Sequence, residues 1–212
     1  MKAAELKNIW HQLTSKYSDD KELIENLWSE LEQCYMASGR YYHNLEHIGY
    51  MITLALEHQE HIEDPNVLLF SIFYHDIIYQ PGSTQNEEKS AELARLRLTA
   101  LQVPKEKVNR CCEQILATRS HKGAEDSDTQ YLLDIDLAII GETPVKFEAY
   151  TKQIGKEFSK LPSPLFKAGR MFFLKEFLGR RRIYQTDRFY KEREAQARTN
   201  LTNLLRSAQK KS

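Results

Sequence analysis

Apolar residues recur along almost every segment of the 212-residue chain with a period near 3.6 rather than 2, and only 8 glycines interrupt the pattern. A strand buried on one face needs the shorter period, so the pattern predicts an all-α fold, a compact helical bundle. The punctuation of the pattern places the helices. Ala3 to Tyr17 reads as a first amphipathic helix, and Asp19 or Asp20 caps a second that runs to about Ala37 and ends at Ser38-Gly39. A third begins near Tyr42 to Asn44 and continues toward His58 and His61. Pro65 opens a fourth at a position where a missing N–H costs nothing, and its apolar run from Val67 to Tyr79 predicts burial on most sides, as the central helix.

Further on, Asn86 is expected to cap a helix over Glu87 to Leu101, and Pro104 starts one that ends near Arg119. A helix from about Thr129 to Ile140 follows. Thr143-Pro144 and Ser163-Pro164 mark two more starts, and a charged helix covers about Arg188 to Ser207. No linker-like segment divides the chain, so one domain over 1–212 is expected, with the chemistry within about 40–140 and the helices of about 143–208 packed on it.

Lys plus Arg and Asp plus Glu both number 30, so the formal charge is zero and a general attraction to nucleic acid or an anionic membrane has no support. Any anionic ligand must be held locally. Three cysteines cannot all pair, and the adjacent Cys111 and Cys112 do not match zinc-ligand spacings, which points to a reducing compartment. Met1-Lys2-Ala3-Ala4-Glu5-Leu6-Lys7 lacks the apolar core of a secretory signal, and no run approaches the roughly 20 apolar residues that span a bilayer. A cytoplasmic protein is expected.

Into these apolar helices the chain sets imidazoles and carboxylates: Tyr42-His43-Asn44-Leu45-Glu46-His47, then Phe73-Tyr74-His75-Asp76, then Leu133-Asp134-Ile135-Asp136-Leu137. His43 and His47 share a face if the helix has already begun at His43. The order His-Asn-Leu-Glu-His differs from the His-Glu-x-x-His of metalloproteases, which disfavours that chemistry. His75 and Asp76 lie where an ionised carboxylate is expensive without a partner. A divalent cation is the simplest one, and a buried His–Asp hydrogen bond is the alternative. Of the last two carboxylates, helical geometry predicts that Asp136 faces the apolar stripe, whereas Asp134 sits at its edge or hydrogen-bonds locally. Two histidines and two aspartates, with positions left for water or substrate, suit one divalent ion, or two, among Mn, Fe, Co, Ni, Mg and Zn.

The ordered set His47, His75-Asp76, Asp136 resembles the H…HD…D pattern of the HD-domain superfamily of metal-dependent phosphohydrolases. The likeness extends through Arg40 to Ile48, Phe73 to Tyr79, Asn86 to Ala91, Leu133 to Ala138 and Glu194 to Leu201, strings similar to a bacterial group of predicted HD phosphohydrolases. It implies an HD-type helical bundle in which His47, His75, Asp76 and Asp136 bind metal, with Asp76 also counted among the catalytic residues. The Tyr-His-Asn-x-x-His string is also similar to the start of the cyclic-nucleotide phosphodiesterase site, which implies that His43 is the proton donor.

Arg40, Arg119, His121 and Lys122 are the candidate substrate contacts, since arginine and lysine suit phosphate; solvated surface cations are the plainer reading. His121 is an added metal ligand if a second ion is bound. Asn86, Glu87 and Glu88 either orient a ligand or simply cap and charge a helix start. Arg180-Arg181-Arg182 reads as a solvated loop, His11, His58 and His61 as surface residues, and Phe166, Phe172, Phe173 and Phe177 as core.

The expected activity is hydrolysis of a small phosphate ester or nucleotide by metal-activated water. The alternatives are a cyclic-nucleotide or dinucleotide phosphodiesterase, and an inactive metal-holding module that senses a nucleotide or binds a protein. The expected partner is a small phosphorylated molecule, with neither membrane nor nucleic acid; self-association is left open.

Overall fold

In the computed structural model, which describes residues 1–209, the described residues form α-helices and short 3-10 turns without strands. The chain divides into two compact units, Met1–Leu132 and the residues from Leu133 onward, the boundary falling inside a helix. Among the described residues no helix is long and apolar enough to cross a membrane.

The first unit contains α1 (Ala3–Thr14), α2 (Lys21–Tyr35), α3 (Leu45–Glu57), α4 (Pro65–Tyr74), α5 (Asn86–Ala100), α6 (Lys105–Ala117) and the start of α7 (Ser127–Asp136). Local chemistry fixes three of these starts. The Asp20 side chain accepts from the Leu23 N–H, Asn44 from those of Glu46 and His47, and Asp64 from that of Val67, with Pro65 in the first turn. Helix α4 packs against α3, α5 and α6, and Val67, Leu68, Phe70, Ile72, Phe73 and Tyr74 are all buried. Trp10 of α1 meets Phe70, Phe73 and Tyr74 edge-on at centroid distances of 6.1, 5.3 and 6.0 Å, and donates its indole N–H to the Ile24 carbonyl at 3.1 Å. Such offset ring pairs add to the area that they bury.

Three expectations shift here. Helix α4 stops at Tyr74 rather than Tyr79, so His75 and Asp76 stand at its C-terminal end. Asn86 is the first residue of α5, not its cap; its side chain closes the preceding loop by accepting from the Gln80 N–H and donating to the Gln80 carbonyl, both at 3.1 Å. His58 is buried, its ring near Tyr131, where a polar neighbourhood suggested a surface residue.

The second unit takes in the end of α7, a 3-10 turn (Leu137–Gly141), α8 (Pro144–Glu157), α9 (Ser163–Gly179) and α10 (Asp187–Gln209). Buried polar groups organise it. Asn200 donates to the Ile140 and Glu142 carbonyls at 2.8 Å each, which satisfies the end of the 3-10 turn. The Glu194 carboxylate accepts from the Ile183 and Tyr184 N–H groups, and Tyr184 Oη donates to the Leu137 carbonyl. Phe172 is 73% exposed, against the core role expected of it, whereas Phe177 is buried. Helix α9 presents its other face inward, so a run of aromatics does not lie wholly in the core.

Candidate metal centre

Helix α3 begins at Leu45, so His43 lies just before it and the helical relation expected between His43 and His47 does not apply. Asn44, in extended conformation, caps the helix, and the two imidazoles still meet, edge to face, with centroids 5.9 Å apart. Aromatic rings fix both. Tyr42 lies against His43 at 5.1 Å and over His47 at 4.7 Å, and Tyr79 stacks on His43 at 4.3 Å with an interplanar angle of 30°.

His75 is 1% exposed, its Nδ1 2.9 Å from the Ile72 carbonyl one turn back. A carbonyl only accepts, so Nδ1 carries a proton, and in the neutral ring Nε2 presents a lone pair. Asp76 Oδ2 lies 3.1 Å from that nitrogen and 3.9 Å from His43 Nε2. Two acceptors in contact repel unless a proton or a metal cation satisfies both.

One ligand atom from each of His47, His75 and Asp136 lies within 4.8 Å of the others, a group able to hold a metal ion. Ligands about 2.1 Å from one divalent ion stand about 3.0 Å apart at right angles and about 4.2 Å apart across it. The His75–Asp76 separation matches the first value, while Asp76, expected as a fourth ligand, lies outside the His47–His75–Asp136 group. Both histidines are buried and Asp136 is partly so. No family model, no curated protein and no solved structure matches the chain.

The facing predicted for the two late carboxylates is reversed. Asp134 is the buried one, at 0% exposure, and accepts from the Gln185 N–H, the Thr186 N–H and the Thr186 hydroxyl, each at 2.7 Å. Burial pushes its carboxyl up to about 6 against those donors. Helix α7 is buried at every position from Tyr131 to Ile135, so it has no single apolar stripe from which facing can be read. Asp136 nonetheless joins the histidines.

Among the other candidates, Arg119 pairs with Glu88 in the first turn of α5 and is half exposed. Lys122 is exposed, and His121 sits in the same turn with a φ of 50°, outside the His47–His75–Asp136 group. Arg40 does something that the sequence did not suggest. Its Nη1 donates to the His43 carbonyl at 3.1 Å and the Asp76 carbonyl at 2.7 Å, and its Nη2 to the Ile77 carbonyl at 2.7 Å. Tyr35, whose hydroxyl donates to the Phe73 carbonyl at 2.9 Å, lies beneath the guanidinium; burial drives its phenol well above the ordinary range. Nothing in the residue pattern marks Tyr35 or Tyr79 for these contacts beyond their aromatic character.

Proposed function

We propose that the chain is a metal-dependent phosphohydrolase of the HD type, acting on a small phosphate ester or nucleotide. The observation that carries this reading is the convergence of His47, His75 and Asp136 donor atoms within 4.8 Å. Asp76 stands beside His75 at 3.1 Å, so these four side chains would hold a divalent ion. Such an ion supplies a water acidified toward neutrality and a Lewis acid for a phosphoryl oxygen.

The remaining steps belong to the chain's own groups. His43 is 19% exposed and stacked on Tyr79, its Nε2 3.9 Å from the Asp76 carboxylate, and imidazole as a side chain exchanges protons near neutral pH. It is therefore suited to give a proton to the leaving oxygen. Tyr42 packs on both histidine rings and limits their rotation. Arg119, His121 and Lys122 are the proposed contacts for the remaining phosphate charge.

The test is a screen of metal-reconstituted protein against a panel of phosphorylated metabolites, read by released inorganic phosphate and by chromatography of the products. Free phosphate indicates a monoesterase, and a nucleoside monophosphate from a cyclic or dinucleotide substrate indicates a diesterase. His75→Ala should lose both bound metal and hydrolysis. A His75→Ala protein as metal-loaded as its parent by elemental analysis would overturn the ligand assignment.

A further inference from the structure

We propose that Arg40 is a positioning residue of this site, fixing the two chain segments that present His43 and Asp76 rather than meeting substrate phosphate. The proposal rests on the reading of the site given above. Helix α4 ends at Tyr74, and the carbonyls just beyond a helix end lack intrahelical donors. Arg40 supplies them from far along the chain: its fork takes the Asp76 and Ile77 carbonyls at 2.7 Å each, and a cation is also favoured at that end of the helix dipole.

The same guanidinium takes the His43 carbonyl at 3.1 Å, so one planar group ties the peptide of the proton donor to the peptide of the carboxylate beside it. It also lies 5.0 Å from the Tyr35 ring centre and 5.4 Å from that of Tyr79, the ring on which His43 stacks. These contacts set the distance between His43 Nε2 and Asp76 Oδ2, now 3.9 Å. Lysine cannot reproduce them, because a single ammonium on a flexible stem does not span three carbonyls in a fixed plane.

The experiment compares the parent with Arg40→Lys, Arg40→Gln and Arg40→Ala, each loaded with Mn²⁺ and assayed on p-nitrophenyl phosphate and bis(p-nitrophenyl) phosphate. Positioning predicts a kcat lower by about 10–100-fold, the usual cost of removing a group that orients a ligand, with KM unchanged. The lysine variant should be no better than glutamine, and millimolar guanidinium should partly restore the alanine variant. A raised KM with kcat intact would make Arg40 a phosphate ligand and overturn the proposal.

A second readout does not need activity. In the metal-free parent the carbon-bound ring protons of His43 should be shifted upfield by Tyr79, and in Arg40→Gln they should move toward free-histidine values. Unmoved resonances would also overturn the proposal; if the glutamine variant does not fold, the lysine variant carries the same measurement. A parent without hydrolysis on either substrate or the metabolite panel would count against the proposed activity, while the ring shifts would still decide the role of Arg40.

Discussion

Asp128, in the first turn of α7, offers the sharpest test of how the first unit is held together. It is 0% exposed, and its carboxylate accepts from the Glu63 N–H and the Asp64 N–H at 2.8 Å each and from Arg110 at 3.2 Å. Asp128→Ala would leave two backbone amides without an acceptor, at about 1–3 kcal/mol apiece. The Arg110 pair adds about 0–1 kcal/mol, since that guanidinium is 30% exposed and keeps Asp126 at 2.6 Å. The expected loss is therefore about 4 kcal/mol, and Asp128→Asn, which keeps one acceptor and sets an NH₂ against the other donor, should lose about 2 kcal/mol. Urea titration followed by tryptophan fluorescence measures this, because the chain's 2 tryptophans, Trp10 and Trp28, are both buried in the first unit. An alanine variant within about 1 kcal/mol of the parent would refute the reasoning, since water would then be replacing the carboxylate at little cost. Helix α7 also carries Asp136, about 12 Å further along its axis. Mn²⁺ titration calorimetry should accordingly show weaker binding in the asparagine variant.

Gly141 leaves no room for a side chain: a Cβ there would stand 2.7 Å from both Arg193 Cβ and Tyr184 Oη and 3.0 Å from the Arg193 carbonyl oxygen. Gly141→Ala should cost about 1–3 kcal/mol by overpacking, seen as a lower melting temperature in scanning calorimetry; an unchanged melting temperature would show that α10 yields freely. For Asp126, burial raises the carboxyl, yet the Thr129 hydroxyl and N–H and the Arg110 guanidinium outweigh it and hold the group below its ordinary range. A depressed native pKa gives stability that is present above the unfolded value of about 3.9 and is lost as pH falls through the native value. The parent should therefore be more stable than Asp126→Asn at neutral pH and lose that advantage in acid; a pH-independent difference between their denaturation midpoints would contradict this.

What the sequence made legible is what short-range chemistry decides. Asp20, Asn44 and the Asp64-Pro65 pair announce helix starts because a cap needs only a side chain two or three residues from the amide that it satisfies. Helix ends are less visible. The α4 apolar run continues to Tyr79, but the helix stops at Tyr74, and the carbonyls beyond it are met by an arginine 36 and 37 residues earlier in the chain. No local pattern encodes that pairing, so an arginine beside a histidine motif reads as a phosphate ligand.

The reversal of Asp134 and Asp136 has the same origin. The facing rule supposes one buried side, and α7 between Tyr131 and Ile135 is buried throughout. There, the side of the helix on which a residue lies no longer predicts its burial, and Asp134 is buried where hydrogen-bond donors meet it. Asp134 has three of them, from Gln185 and Thr186, and is consumed in holding a loop. Asp136 stands with two histidines, one of which, His75, has its Nδ1 proton committed to the Ile72 carbonyl and Asp76 Oδ2 at its other nitrogen. A cluster rich in acceptors is stable only with a proton or a cation among them. That requirement, rather than the order of letters in a motif, is the physical reason to look for a metal at this point of the chain.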